Sequence, residues 1–345
     1  MSKNKLFYIF LSLVISVVLI WLLLSQIETE DLLQTFTRIY FPALLAFIVI
    51  SLACAVLRAW RYKWLLKPQP VGWGNIFLIT LIRNLFVDLF PARIGSLSYI
   101  YLVNKRLNFP FETAASSFVV AFIFDFLTLS PFLVLAIFAV GLGKTAVSNL
   151  TLLMVALIFF IIIFFMLWKI IPLFSIFLKI YQKILKALRA DKKRWAKISD
   201  QKINLTIGCL CQIRKKKNYW PIFFISFFIR LAKYASLYFL LFSILKSHGF
   251  SLKDLSFWKT ILGITGAELS SALPVKGIAG FGTWESAWAI AFRLMNFDHN
   301  LAIISGIGVH LITNIFEYSL GIISILILAF PFFKRFRAKK KSIKF

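Results

Sequence analysis

The chain has 345 residues, 60% of them hydrophobic, with 40 Lys and Arg against 13 Asp and Glu and a net charge of +27. Its mean hydropathy of +0.86 means more apolar surface than a water-soluble core can hide, which excludes a soluble enzyme or globular binding module. The basic residues stand in blocks beside apolar runs, where they orient helices and meet anionic headgroups, so nucleic acid is not the expected partner.

Six apolar runs are long enough to cross a hydrocarbon core of about 30 Å: roughly residues 6–25, 41–57, 113–141, 151–171, 220–245 and 301–330. The first follows Lys3 and Lys5, lacks an A-x-A cleavage pattern and reads as a signal anchor. Two further stretches, 74–104 and 259–296, are interrupted by Pro and Gly and carry charges, the pattern of segments that enter a membrane and turn back. The expected fold is therefore all-α, a polytopic membrane helix bundle of about six full spans and two re-entrant helical hairpins, forming one integral membrane domain over 1–345.

The distribution of Lys and Arg sets orientation. Lys3 and Lys5 predict a cytoplasmic N-terminus, Glu28, Glu30 and Asp31 an outer loop, and Arg58, Arg61, Lys63 and Lys67 a return inside. The basic segment 172–219 and the tail with Lys334, Arg335 and Arg337 are cytoplasmic on the same rule, in a cell inner (cytoplasmic) membrane. Each broken stretch must then return to the side it left, so that 1–143 and 144–345 become inverted half-repeats, each reading span, span, re-entrant pair, span. Phe90-Pro91-Ala92-Arg93-Ile94-Gly95 is faintly echoed by Leu273-Pro274-Val275-Lys276-Gly277 at the mirrored place. Within 172–219, Phe177, Ile180, Tyr181, Ile184, Leu185 and Leu188 recur at helical spacing opposite Lys179, Lys183, Lys186 and Arg189, which predicts an interfacial helix.

Ionisable residues inside apolar surroundings carry the functional information, since each costs a few kcal/mol unless paired or facing water. The first break offers Arg83, Asp88 and Arg93 around Pro91. In the second, Glu268 precedes Lys276-Gly277-Ile278-Ala279-Gly280-Phe281-Gly282, which leads into Thr283, Trp284 and Glu285. A helix restarting near Thr283 would aim free N–H groups at the break, which suits an anion such as a lipid phosphate. The same residues also fit a tight intramembrane turn with Lys276 snorkelling to the surface. Among the spans stand Asp125, the pair Arg230 and Lys233, and a one-sided stripe of His310, Asn314 and Glu317, which could guide a headgroup or hold the bundle together. Cys54, Cys209 and Cys211 with three scattered histidines give no metal-ligand spacing, and there is no Walker motif, so neither metal nor cofactor is expected.

These residues resemble a known family. Arg58-Ala-Trp-Arg61-Tyr-Lys-Trp64, Leu89-Phe-Pro91-Ala-Arg93-Ile-Gly95, Phe124-Asp125-Phe126, and Leu273-Pro274 through Gly280-Phe-Gly282-Thr-Trp-Glu285 look like the flippase-like transmembrane domain of the lysylphosphatidylglycerol synthase family. The resemblance implies lipid translocation, with Arg93, Asp125, Lys276, Gly280 and Glu285 at motif positions. The soluble domain that charges lipid with lysine in the full-length synthase has no counterpart before Phe345, so lysyltransferase activity is not expected.

Three functions fit. The first is translocation of an anionic or modified phospholipid, or a lipid-linked headgroup, across the cytoplasmic membrane. The second is a membrane-embedded glycosyl or headgroup transferase acting on a polyprenyl-phosphate or phospholipid, with Glu28, Glu30 and Asp31 as metal-holding acids or simply a solvated loop. The third is recruitment of a soluble synthase partner by the basic segment 172–219.

Overall fold

The computed structural model describes residues 14, 16–140, 170–187, 194–215, 219–270 and 277–329, with isolated positions between 150 and 165. Among these residues the chain is helical throughout, without strands. Helix α1 (Thr29–Thr37) is short and amphipathic, with Glu30 and Asp31 in its first turn where they complement the helix dipole. Helix α2 (Phe41–Leu65) starts on Pro42 and runs eight residues beyond the apolar stretch that predicts it, carrying Arg58 and Arg61 inside the helix. Its far end carries two cation–ring contacts: the Lys63 ammonium lies 4.4 Å from the Trp73 ring centre and that of Lys67 3.7 Å from Trp64.

Helix α3 (Trp73–Leu89) ends where Pro91 begins a 3₁₀ turn, Pro91–Leu97, and α4 (Ser98–Arg106) follows. The break predicted at Pro91 is thus present. Helix α5 (Phe111–Leu127) and α6 (Leu129–Val140) form one apolar stretch bent at Thr128. Pro131 supplies the bend, since its ring cannot donate to the Leu127 carbonyl; the Ser130 hydroxyl donates to that carbonyl instead, at 2.8 Å. Helices α7 (Ile170–Ala187) and α8 (Arg194–Lys215) occupy the predicted cytoplasmic segment, and α9 (Tyr219–Leu245) follows. Helix α10 (Phe257–Ser270), a short 3₁₀ turn at Ile278–Gly280, α11 (Thr283–Leu294) and α12 (His299–Ala329) complete the chain.

Four helical stretches among the described residues are long and apolar enough to cross a membrane: Phe41–Leu65, Phe111–Val140, Trp220–His248 and His299–Ala329. They coincide with four of the six predicted runs. The runs at 6–25 and 151–171 fall largely outside the described residues, although residues 16–24 are helical. The protein is a multi-pass helical membrane bundle.

Two apolar cores divide it. One gathers Tyr62, Ile79, Tyr99 and Ala121 from α2 to α5, with the Tyr62 and Tyr99 rings stacked at 4.0 Å. The other gathers Leu240, Ile264, Trp288 and Ile303 from α9 to α12. Between them α2 lies along α9 and α3 packs on α12, while α10 packs on α6 within the second core. The two broken segments also touch, Pro91–Leu97 against Ile278–Gly280. Close approach at these seams depends on missing side chains: a Cβ on Gly321 of α12 would come within 2.5 Å of the Leu85 Cβ of α3.

The helix predicted here is present and amphipathic, and its apolar residues fall into two settings. In α7, Leu185 is buried beside Tyr181 and Ala196 of the α8 pairing, whereas Ile176, Ile180 and Ile184 stand more than half exposed. A 3.6-residue period cannot by itself separate a face that packs on a partner helix from a neighbouring face left outside.

Candidate functional site

The seam between the cores is polar. Helix α2 contributes Arg58 near its C-terminal end, α3 Asn84 and Asp88, α9 Lys233 near its middle, α10 Glu268, and α12 the one-sided stripe His310, Asn314 and Glu317. Together with Gly280, Thr283 and Trp284 from the second break they line a cavity of about 140 Å³. A void of this size has room for several waters, and its place within the long apolar helices makes it a polar compartment inside the bundle.

The charges are mostly matched. Glu268 receives Arg230 Nη1 at 3.4 Å and pairs with the Lys233 ammonium, so one carboxylate answers two cations of the same helix, three residues apart. Arg58 donates to Asn84 Oδ1 at 3.2 Å, and Arg83 donates to the same oxygen at 3.3 Å. Asp88 and Glu317 meet across α3 and α12 with a hydrogen bond between their carboxyl groups, beside Arg58. Behind the cavity, Arg61 grips Asp125 with both terminal nitrogens, at 2.6 and 3.2 Å, and donates to Ser226 Oγ at 2.9 Å. Arg230 donates to the Asp125 carbonyl, which ties this buried pair to the Glu268 cluster.

The second break is closed by the chain's own carboxylate. Ala279, Gly280 and Gly282 have φ of +54°, +85° and +83°, a left-handed stretch that turns the chain sharply into α11. Glu285, 1% exposed, accepts the Gly282 N–H at 2.8 Å and meets His310 Nδ1 at 2.6 Å. It occupies the α11 N-terminus that the sequence suggests for a ligand anion. The His310 ring is stacked on Trp284 at 4.7 Å and packs near Phe281 at 4.8 Å.

Of the residues singled out from sequence, Asp88, Lys233, Glu268, Gly280, His310, Asn314 and Glu317 are among those that line the cavity. Arg83 and Glu285 stand one layer behind it, bonded to Asn84 and His310, and Asp125 lies further back with Arg61, tied to Glu268 through Arg230. Gly277 and Gly282 frame the break against the N-terminal helix: a Cβ on Gly282 would lie 2.7 Å from Leu19 Cβ, and one on Gly277 2.4 Å from Ser16 Oγ. The Arg93 side chain and Lys276 lie outside the described residues. Sequence reasoning passed over Arg58 and Arg61 as positive-inside anchors; their spacing of three, which puts both on one face, is the signal that could have found them.

A second hollow, about 700 Å³ and almost wholly apolar, lies between α3, α4 and the end of α12, lined by Ile82, Phe86, Tyr101 and Leu328, with Arg106 donating to the Leu328 carbonyl.

No curated protein matches the chain. The family described as the lysylphosphatidylglycerol synthase TM region matches residues 9–321, which take in both breaks and every residue named above as lining the polar cavity. The chain belongs to this family of membrane regions with a lipid-related role.

Proposed function

We propose that the protein moves lipid headgroups across the cytoplasmic membrane through the cavity between its two cores, while the acyl chains stay in the bilayer. The substrate is an anionic or modified phospholipid or a lipid-linked headgroup. The observation that carries this reading is the cavity itself: the ionisable side chains of Arg58, Asp88, Lys233, Glu268, His310 and Glu317 converge on one void within the apolar helices. Such a void would be costly to keep unless something polar passes through it.

Packing supports the inverted arrangement of the halves 1–143 and 144–345. The first re-entrant arm, α3, rests on the last span of the second half, and its counterpart α10 rests on the last span of the first half. The two breaks meet in the middle, so a rocking motion of one half against the other would open the cavity to each side in turn. Arg93 and Lys276, at equivalent places in the two breaks, would receive the headgroup on entering and leaving.

Crossing of headgroup-labelled phospholipids and a polyprenyl phosphate in proteoliposomes tests the reading. The wild-type protein should speed at least one lipid over protein-free vesicles. Lys233→Ala should slow it by about tenfold, the size of one lost charge-assisted hydrogen bond. Lys233→Ala rates equal to wild type would remove the cavity from the route.

A further inference from the structure

The hairpin α7–α8 leaves one face of α7 open among the described residues. On its inner side α7 packs on α8, Tyr181 and Leu185 against Ala196, and the Gln182 side-chain amide donates to Asp200 Oδ1 at 2.6 Å. Helix α8 in turn packs on α5, where the Lys202 ammonium lies 4.7 Å from the Phe111 ring centre. The hairpin is therefore held to the first core by its second helix. Away from α8, Ile176, Ile180 and Ile184 stand more than half exposed, and their spacing of four lines them up as one ridge. Lys179, Lys183 and Lys186, all exposed, run beside that ridge, and α7 contains no acidic residue.

From this arrangement we infer that α7 is a docking face for an anionic membrane surface. The three isoleucines enter the boundary between headgroups and acyl chains, and the three lysines, lying flat along the ridge, reach lipid phosphates with their ammonium groups. Charge selects this occupant: a row of cations without an acid among them matches an anionic leaflet. A protein partner fits the face less well, because protein interfaces are depleted in Lys and anchored by aromatic residues and Arg, whereas the ridge is Ile bordered by Lys. Position agrees with composition. The apolar run 151–171, a span on the sequence reading, leads directly into α7 at Ile170, so the helix starts beside the bilayer and docks without the cost of bringing two free bodies together. The inference is independent of the headgroup route. It gives the hairpin a task of its own, since α8 ties a helix that reads leaflet charge to α5, the helix that carries Asp125.

The test places an environment-sensitive fluorophore on the ridge through Ile180→Cys, in the full chain with Cys209 and Cys211 replaced by Ser. The labelled protein is reconstituted into vesicles of phosphatidylcholine alone, or with about a third of phosphatidylglycerol, each containing a lipid with a nitroxide quencher just below the headgroup. Quenching should be strong in the anionic vesicles, weak in the neutral ones, and reduced by added salt. Lys179→Gln, Lys183→Gln and Lys186→Gln should each lower the ratio of docked to undocked helix in anionic vesicles about fivefold, and the triple variant more than any of them. Melting curves of the variants separate lost docking from lost folding, and Lys197→Gln, a cation of α8 outside the ridge, should leave quenching unchanged. Equal quenching in neutral and anionic vesicles, unmoved by the triple substitution, would overturn the inference by making the ridge an ordinary lipid-facing surface that does not recognise charge. Absence of quenching in both vesicles would also overturn it, because the face would then be covered by protein or left in water.

Discussion

Asp125→Ala should destabilise the protein by about 3–5 kcal/mol, more than Arg61→Ala at the other end of the same ion pair. The asymmetry comes from burial. The Arg61 side chain is 1% exposed, whereas Asp125 keeps 28% of its side-chain surface. Removing the carboxylate strands a guanidinium whose remaining partner is the Ser226 hydroxyl, in a setting where an unpaired charge cannot reach water. Removing the guanidinium leaves a carboxylate that still has the positive charges of Arg230 and Arg83 nearby, so Arg61→Ala should cost about 1–3 kcal/mol. The double substitution Arg61→Met with Asp125→Leu removes both charges and should recover most of the loss. Thermal melting in a fixed detergent measures all three. Equal losses for the two single variants would mean that burial does not set the energetics of this pair.

Gly95→Ala has the second large expected effect. The 3₁₀ turn at Pro91–Leu97 folds back on the end of α3 so closely that a Cβ on Gly95 would stand 1.6 Å from the Phe86 carbonyl oxygen. That neighbour is backbone, so it cannot rotate aside, and the turn must separate from α3 to admit the methyl group. A cost of about 3 kcal/mol follows, at the upper end of what overpacking produces. Gly74, near the start of the same helix, is the control: a Cβ there would meet nothing within 4 Å, and Gly74→Ala should stabilise by about 0.5–1 kcal/mol. Melting temperatures that fall for Gly95→Ala and rise slightly for Gly74→Ala would support this packing; equal shifts would contradict it.

Four of the predicted spans were legible because hydropathy reports directly on what a bilayer demands of a helix. The break at Pro91 was legible for a related reason, since proline cannot continue the α3 ladder and a glycine four residues on permits the return. Partnerships were not. Arg58 and Arg61 look like anchors at the end of an apolar run, and only the packing of α2 against α3, α5 and α9 makes Arg58 a partner of Asn84 and Arg61 a buried partner of Asp125. Glu285 was legible as an important residue of the second break but not as the group behind His310, because the contact spans 25 residues and two helices. The bend at Thr128 was signalled by Pro131, yet a uniformly apolar run hides it from hydropathy. Local pattern reports on the solvent around a helix; which polar groups meet is decided by tertiary placement.

The most direct test of the headgroup route is to find where a headgroup rests. A phospholipid carrying a small photoreactive group on its headgroup, incorporated with the protein into vesicles and illuminated, should label peptides of α9, α10 and α12 that contain Lys233, Glu268 and Glu317, and unlabelled lipid should compete. Labelling confined to outward-facing positions such as Ile323 and Leu326 of α12, with none at the cavity, would contradict the account.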